Sequence, residues 1–410
     1  MDARLRVVYL LASAVGVFFL RTPWQVTALL GLQLLLWFLV RLPLRRLVRQ
    51  TLKLWGFGLL VVSSYALTAD DPSLDRWVQL PLFGVHLSLN ISGAGVGGLM
   101  VLRLVTVVLA SSVARAGNVR ALALGLSQLR VPRSFSAPLD AVLSLTGEDE
   151  DHPLPRGEGR GEGRESGGGR GNGGGRKAKG SFWAALQRVS QGDVSAITDK
   201  LERQIGRAEK HLHESSADAP HPNALPEGEG ARRDWAVIAG VAASMLGIRA
   251  LKILPSIPFA PGHKLVLLTP LYVVASMQTK GRWGGTLTGL TMGTVAFLLG
   301  DGRYGVFEIL KHLVPGVLCD IFLPLLPGAG RKLGGLGWSL FGGLVAAGRF
   351  ATILAITFVL QTPAVAWAIL LPGLTVHMTF GLLSGYITAH LVKAVEAAAA
   401  RRGSMDKEAA

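Results

Sequence analysis

The chain has 410 residues, of which 50% are hydrophobic and only 17% charged, and its mean hydropathy is +0.40. That is too apolar for an ordinary water-soluble protein, and the excess lies in blocks long enough to cross a hydrocarbon core of roughly 30 Å. A net charge of +15 would point to nucleic acid in a soluble protein, but here the basic residues flank apolar blocks, where positive-inside asymmetry puts them.

The first apolar span covers about 6–20. Its sequence, MDARLRVVYLLASAVGVFFLRTPW, is superficially like a secretion signal. No A-x-A-like site follows and another span begins directly, so it reads as a first span. Spans near 24–40, 54–69 and 94–114 follow. RLPLRRLVRQTLK (41–53) is dense in arginine and reads as cytoplasmic. TADDPSLDRW (68–77) is acidic and reads as outer, and RAGNVR (115–120) returns inside. Residues 1–114 are thus expected to form a first bundle of four spans.

A long polar stretch, 115–234, comes next and reads as cytoplasmic. In RALALGLSQLRVP (120–132), with Val119 before it, Val119, Leu122, Leu126 and Leu129 share one helical face, and Pro132 ends the helix. Spacing alone fits a helix lying on lipid headgroups or a docking helix that passes force to the spans. Residues 147–180 are Gly/Arg-rich and cannot bury enough apolar surface to order themselves. No aromatic residue interleaves with the arginines, so a flexible tether is preferred to an RNA-binding segment. A helix is expected over 181–212, with a stripe of Leu186, Val189, Val194, Ile197, Leu201, Ile205 and Ala208, and then a second linker over 213–233.

Six further spans are expected, near 235–254, 264–279, 283–300, 305–327, 338–361 and 364–393, before a C-terminal tail at 399–410. KGR (280–282), GRK (330–332) and ARR (400–402) alternate with the outer GDGRYG (300–305) and QTP (361–363), which places both termini in the cytoplasm. The first of these spans carries Ala239-x-x-x-Ala243, overlapped by Ala236, Gly240 and Ser244, a small-residue face that lets another helix approach closely. The expected fold is an all-α polytopic membrane protein. About ten spans form two bundles, joined by cytoplasmic helices with a disordered insert.

GDGRYGVFEILKHLVPGVLCD places Glu308, Lys311 and His312 on one face, continued by Pro315 and Cys319, with Asp320 beside it. Charges at membrane depth usually line a cavity or a ligand site. Asp301, Arg303 and Tyr304 lie just above them, and the outer loop 256–263, ending in His263, covers the same place. Arg249 and Lys252 sit near the outer end of their span, against the positive-inside trend, which an anionic substrate would explain. An internal Glu308–Lys311 or Glu308–His312 pair explains the cluster equally well. Arg349, Gln361, His377 and Tyr386 are weaker candidates. The lone Cys319 allows neither an internal disulfide nor a Cys-based metal site. No Walker A, H-E-x-x-H or G-x-S-x-G motif occurs.

Leu42-Pro43-Leu44-Arg45-Arg46, the intramembrane Arg103 and Leu129-Arg130-Val131-Pro132, in that order, resemble the transmembrane T component of energy-coupling-factor transporters over about 1–212. The resemblance implies coupling to two ATP-binding-cassette ATPases through short motifs with an arginine between small residues. Gly206-Arg207-Ala208 matches one; for the other, Arg130 and Arg133 are the candidates, since the region that usually carries it holds the glycine-rich insert here. Residues 235–398 resemble the substrate-capturing S component of the same system. That likeness implies that Ala239 and Ala243 sit against coupling-helix residues such as Leu122, Leu126 and Leu129. Span 235–254 also fits as a last span of the T-like part, but its small-residue face favours the S-like one. A resemblance of this kind implies a transport subunit of a bacterial cytoplasmic membrane, not itself an enzyme, that takes up a vitamin-like micronutrient. ATP and magnesium would be held by the partner ATPases and no cofactor by this chain, and the S part would topple to release its cargo. The alternatives are an ion- or proton-coupled secondary transporter using Glu308, Lys311 and His312 as a relay, and a membrane enzyme acting on lipid.

Overall fold

The computed structural model describes residues 2–68, 75–82, 85–116, 120–129, 131–151, 193–218, 228–250, 265–299, 305–327, 333–360 and 363–409. It is mostly helical (87%). In chain order the elements are α1 (Ala3–Phe19), α2 (Pro23–Leu39), α3 (Leu44–Leu67), β1 (Trp77–Leu82), β2 (Val85–Asn90), α4 (Ile91–Ala114), α5 (Arg120–Gln128), α6 (Arg133–Asp151), α7 (Ser195–Asp218), α8 (Glu229–Ala250), α9 (Leu265–Gln278), α10 (Gly284–Leu298), a 3-10 turn at Gly305–Phe307, α11 (Glu308–Phe322), α12 (Gly335–Leu360) and α13 (Pro363–Ala409). Among the described residues three helices are long and apolar enough to cross a membrane: α4, α12 and the Pro363–Ala397 part of α13. The apolar α2 and Val266–Gln278 are shorter. Leu5, Val8, Leu11, Val15 and Phe19 form an exposed stripe along α1. In water such a stripe would invite aggregation, and against lipid tails it is an ordinary outer face.

Local chemistry sets the turns of the first group. Pro23 occupies the first helical position of α2, and the Thr22 N–H donates to Gln25 Oε1 at 3.3 Å. At the far end, the Leu42 N–H donates to Trp37 O (3.1 Å) and the Arg41 N–H to Phe38 O (3.0 Å), a Schellman closure. It holds Arg41 at φ 58°, a position glycine usually fills. α1 and α4 run antiparallel, and each carries an arginine that satisfies the other's C-terminal carbonyls. Arg6 Nη1 donates to Ala116 O (2.6 Å) and Ala114 O (3.3 Å), and Arg103 Nη2 donates to Leu20 O (2.6 Å). Helix C-termini carry orphan acceptors and partial negative charge, so both placements are favourable.

Four expectations are corrected in detail. A β-hairpin interrupts the all-α pattern, paired from Trp77↔Asn90 to Leu82↔Val85. Asn90 ends it and caps α4, accepting from the Gly93 N–H at 2.9 Å. α3 begins at Leu44, so most of the Arg-rich stretch is helical. Residues 147–151 of the expected tether are the last turn of α6, while 152–192, with the start of the expected 181–212 helix, lie outside the described residues. The expected C-terminal tail is the continuation of α13 to Ala409. Its alanine-rich sequence leaves no reason for the helix to stop at 393.

One large apolar core joins both groups of helices, drawing on Val7 and Leu10 of α1, Leu122 of α5, Leu139 of α6, Ala239 and Met245 of α8, Tyr272 of α9, Met292 of α10 and Trp338 of α12. α6 and α7 lie on α8, α10 crosses α11 closely, and α12 pairs with α13 along most of its length.

Candidate functional site

The amphipathic α5 packs on α1 and α6. Leu122 is buried and Leu126 partly so, whereas Leu129 is 40% exposed. The leucine face is therefore used mainly within the first part of the chain, and it is α6 and α7 that reach α8. Ala239 is fully buried and Ala243 half-buried. The closest approach falls between them, where Gly240 meets the backbone of Ile205 in α7. A side chain at 240 would hold the two helices apart, so the small-residue face has a definite partner. α7 is fixed to α6 by His211, whose Nε2 lies 3.3 Å from Asp140 Oδ2 and whose Nδ1 lies 3.3 Å from Ser144 Oγ. On α7, Ala208 is buried while Gly206 and Arg207 are exposed, and Arg133 is exposed at the start of α6. Arg130 lies outside the described residues.

The second cluster lies between α9, α10 and α11. Glu308 and His312 are each 1% exposed. Glu308 forms an ion pair with Lys311, and its Oε2 is 4.0 Å from His312 Nε2. His312 Nδ1 is 2.9 Å from the hydroxyl of Tyr272. Spacing placed the first three together; Tyr272, from a helix forty residues earlier, gave no local sign beyond being a polar ring in an apolar segment. These charges engage one another inside the fold. Asp320, also 1% exposed, accepts from the Gly285 N–H (3.0 Å), the Thr286 N–H (2.7 Å) and Ser276 Oγ (2.5 Å). It caps the first turn of α10 from a neighbouring helix. Asp234 of α8 accepts from the N–H groups of Lys280 and Gly281 at 2.8 Å each and so fixes the loop that leads into α10. Lys252, His263, Asp301, Arg303 and Tyr304 lie outside the described residues, and so does the Arg249 side chain.

The weaker candidates fall elsewhere. Arg349 (7% exposed) and His377 (1%) are buried between α12 and α13, while Tyr386 is 40% exposed and edge-on to His390 at 4.9 Å. Gln361 lies outside the described residues. No family model, no curated protein and no solved structure matches this chain.

Proposed function

We propose that the chain is a membrane subunit of an energy-coupling-factor importer, in which α5–α7 pass ATP-driven movement from separate ATPases to an S-like part in α8–α13. The observation that carries this reading is the α7–α8 contact. One face of α7 seats Ile205 on Gly240, and the same turn exposes Arg207 beside a glycine. A guanidinium flanked by small residues reaches into an acidic groove and forms paired hydrogen bonds there. A push on Arg207 would be delivered directly to α8.

A second contact supports the toppling this mechanism needs. Ser111, one turn from the expected inner end of α4, donates toward Phe297 O (3.3 Å) and Leu298 O (3.0 Å), at the expected outer end of α10. Inner and outer ends meet if α8–α13 are tilted relative to α1–α4. The membrane would be the bacterial cytoplasmic membrane, with both termini inside, the cargo a small micronutrient, and ATP and magnesium held by the partners.

The buried Glu308–Lys311 pair and the Tyr272–His312 contact favour the second reading, a gradient-driven transporter without ATPases. Arg207→Glu separates the two. The importer reading expects uptake to vanish while cargo binding persists. Uptake at the wild-type rate, or equal loss of binding and uptake in a folded protein, overturns the coupling role.

A further inference from the structure

We infer that the first turns of α3 are a docking surface for an anionic phospholipid of the inner leaflet, its phosphate held between Arg45 and Arg49. Residues 41–49 contain Arg41, Arg45, Arg46 and Arg49, and no acidic residue lies between Asp2 and Asp70. All four arginines are exposed, and among the described residues none of their side chains makes an ion pair or hydrogen bond. Like charges this close repel one another, and nothing on their own stretch of chain offsets them.

α4 sets their depth. α3 runs antiparallel to it, with Tyr65 against Gly93 and Gly97 at one end. At the other end Ser112 Oγ donates to Gln50 Oε1 at 2.7 Å, so Gln50 is level with the last turn of α4. α4 is long and apolar enough to cross the membrane. Its 24 residues span about 36 Å against a hydrocarbon core of about 30 Å, which brings its last turn to the headgroups. Arg49, Arg46, Arg45 and Arg41 lie at that level and successively beyond it.

Beside the arginines the same turns carry an apolar stripe. Val48, Leu52 and Trp55 are all more than half exposed, while the side of α3 that buries Val61 packs on α4. Arg45 and Arg49 are one helical turn apart, and they precede Val48 and Leu52 by three residues each, so cation and stripe adjoin. The two parts of a phospholipid match this surface. Acyl chains lie on the stripe, and a phosphate accepts paired hydrogen bonds from the guanidiniums. A zwitterionic headgroup would bring its own cation against four uncompensated arginines, so a net negative charge is selected. Orienting the chain needs only positive charge somewhere in the loop; it does not require arginines on the turns that also face lipid.

The test uses the purified full-length protein in phosphatidylcholine vesicles. A minor fraction of the lipid carries bromine on its acyl chains, either as phosphatidylglycerol or, at the same fraction, as phosphatidylcholine. Bromine quenches nearby tryptophan, and subtracting the signal of Trp55→Phe isolates Trp55. Brominated phosphatidylglycerol is expected to associate about fivefold more strongly than brominated phosphatidylcholine, the factor that one engaged arginine supplies at a membrane surface. Arg45→Gln with Arg49→Gln should at least halve that ratio. Arg21→Gln, in the loop at the expected outer surface, should leave it unchanged. A wild-type ratio near one, as expected if these arginines serve an acidic protein instead, overturns the site. So does a ratio that survives the double substitution, or one that Arg21→Gln lowers equally. If the double variant does not fold, the wild-type ratio and Arg21→Gln decide. The inference rests on residues 41–49 lying at the inner surface and the assay contains no ATPase, so its failure leaves the importer reading where it stands.

Discussion

Gly240→Ala perturbs the α7–α8 contact at its tightest point. A Cβ at 240 would stand 2.6 Å from both the Cα and the N of Ile205. Non-bonded carbons rest at about 3.5–4.0 Å, so one of the helices must shift by roughly 1 Å. These are backbone atoms, and no rotamer change relieves the overlap. Overpacking of this kind costs about 1–3 kcal/mol. Two neighbours serve as references. A Cβ at Gly247 meets only the end of a flexible side chain, Lys200 Nζ at 3.4 Å, so Gly247→Ala should keep the gain of about 0.5–1 kcal/mol that a glycine-to-alanine change gives within a helix. Gly206 has nothing within 4 Å, and Gly206→Ala should gain about 0.5–1 kcal/mol from helix propensity alone. Thermal unfolding of the purified chain in one detergent should therefore rank Gly206→Ala and Gly247→Ala above wild type and Gly240→Ala below. If Gly240→Ala melts with the wild type, α7 is not seated on α8 as described.

Two further substitutions test the buried carboxylates by the same melting assay. Glu308→Gln leaves Lys311 without its carboxylate in a buried place and should cost about 3–5 kcal/mol. Adding Lys311→Met to that variant should recover much of the loss, and a double variant no more stable than the single one contradicts the ion-pair account. Asp320→Ala removes the acceptor of two α10 N–H groups and should cost about 1–2 kcal/mol, while Asp320→Asn keeps one acceptor oxygen and should cost less. Melting of Asp320→Ala at the wild-type temperature would refute the capping role.

Apolar run length and flanking arginines were enough to find most helices, because a span must satisfy its backbone internally and so shows as a continuous block. The hairpin was hidden by its context. Val85, Leu87 and Leu89 alternate with His86 and Ser88, a strand pattern, but Pro81 and the acidic 68–77 stretch dominate the reading of that loop. Helical spacing brought Glu308, Lys311 and His312 together correctly because all three share one helix. Asp320 looked like a further charge beside that face, and its capping role depends on Gly285 and Thr286, 35 and 34 residues away in sequence. The reciprocal arginine caps are likewise invisible locally, since Arg103 and Leu20 are 83 residues apart. For α5 the leucine face was legible and its partner was not, because an amphipathic pattern says that a face is buried without saying against what.

The central claim is that this chain works with separate ATPases. It is tested most directly by mild-detergent affinity purification of the full-length protein from its native membranes, followed by mass spectrometry of what accompanies it. The account predicts ATP-binding-cassette ATPases near stoichiometry, lost on Arg207→Glu. An intact preparation with no such ATPase would contradict it and put the gradient-driven transporter first.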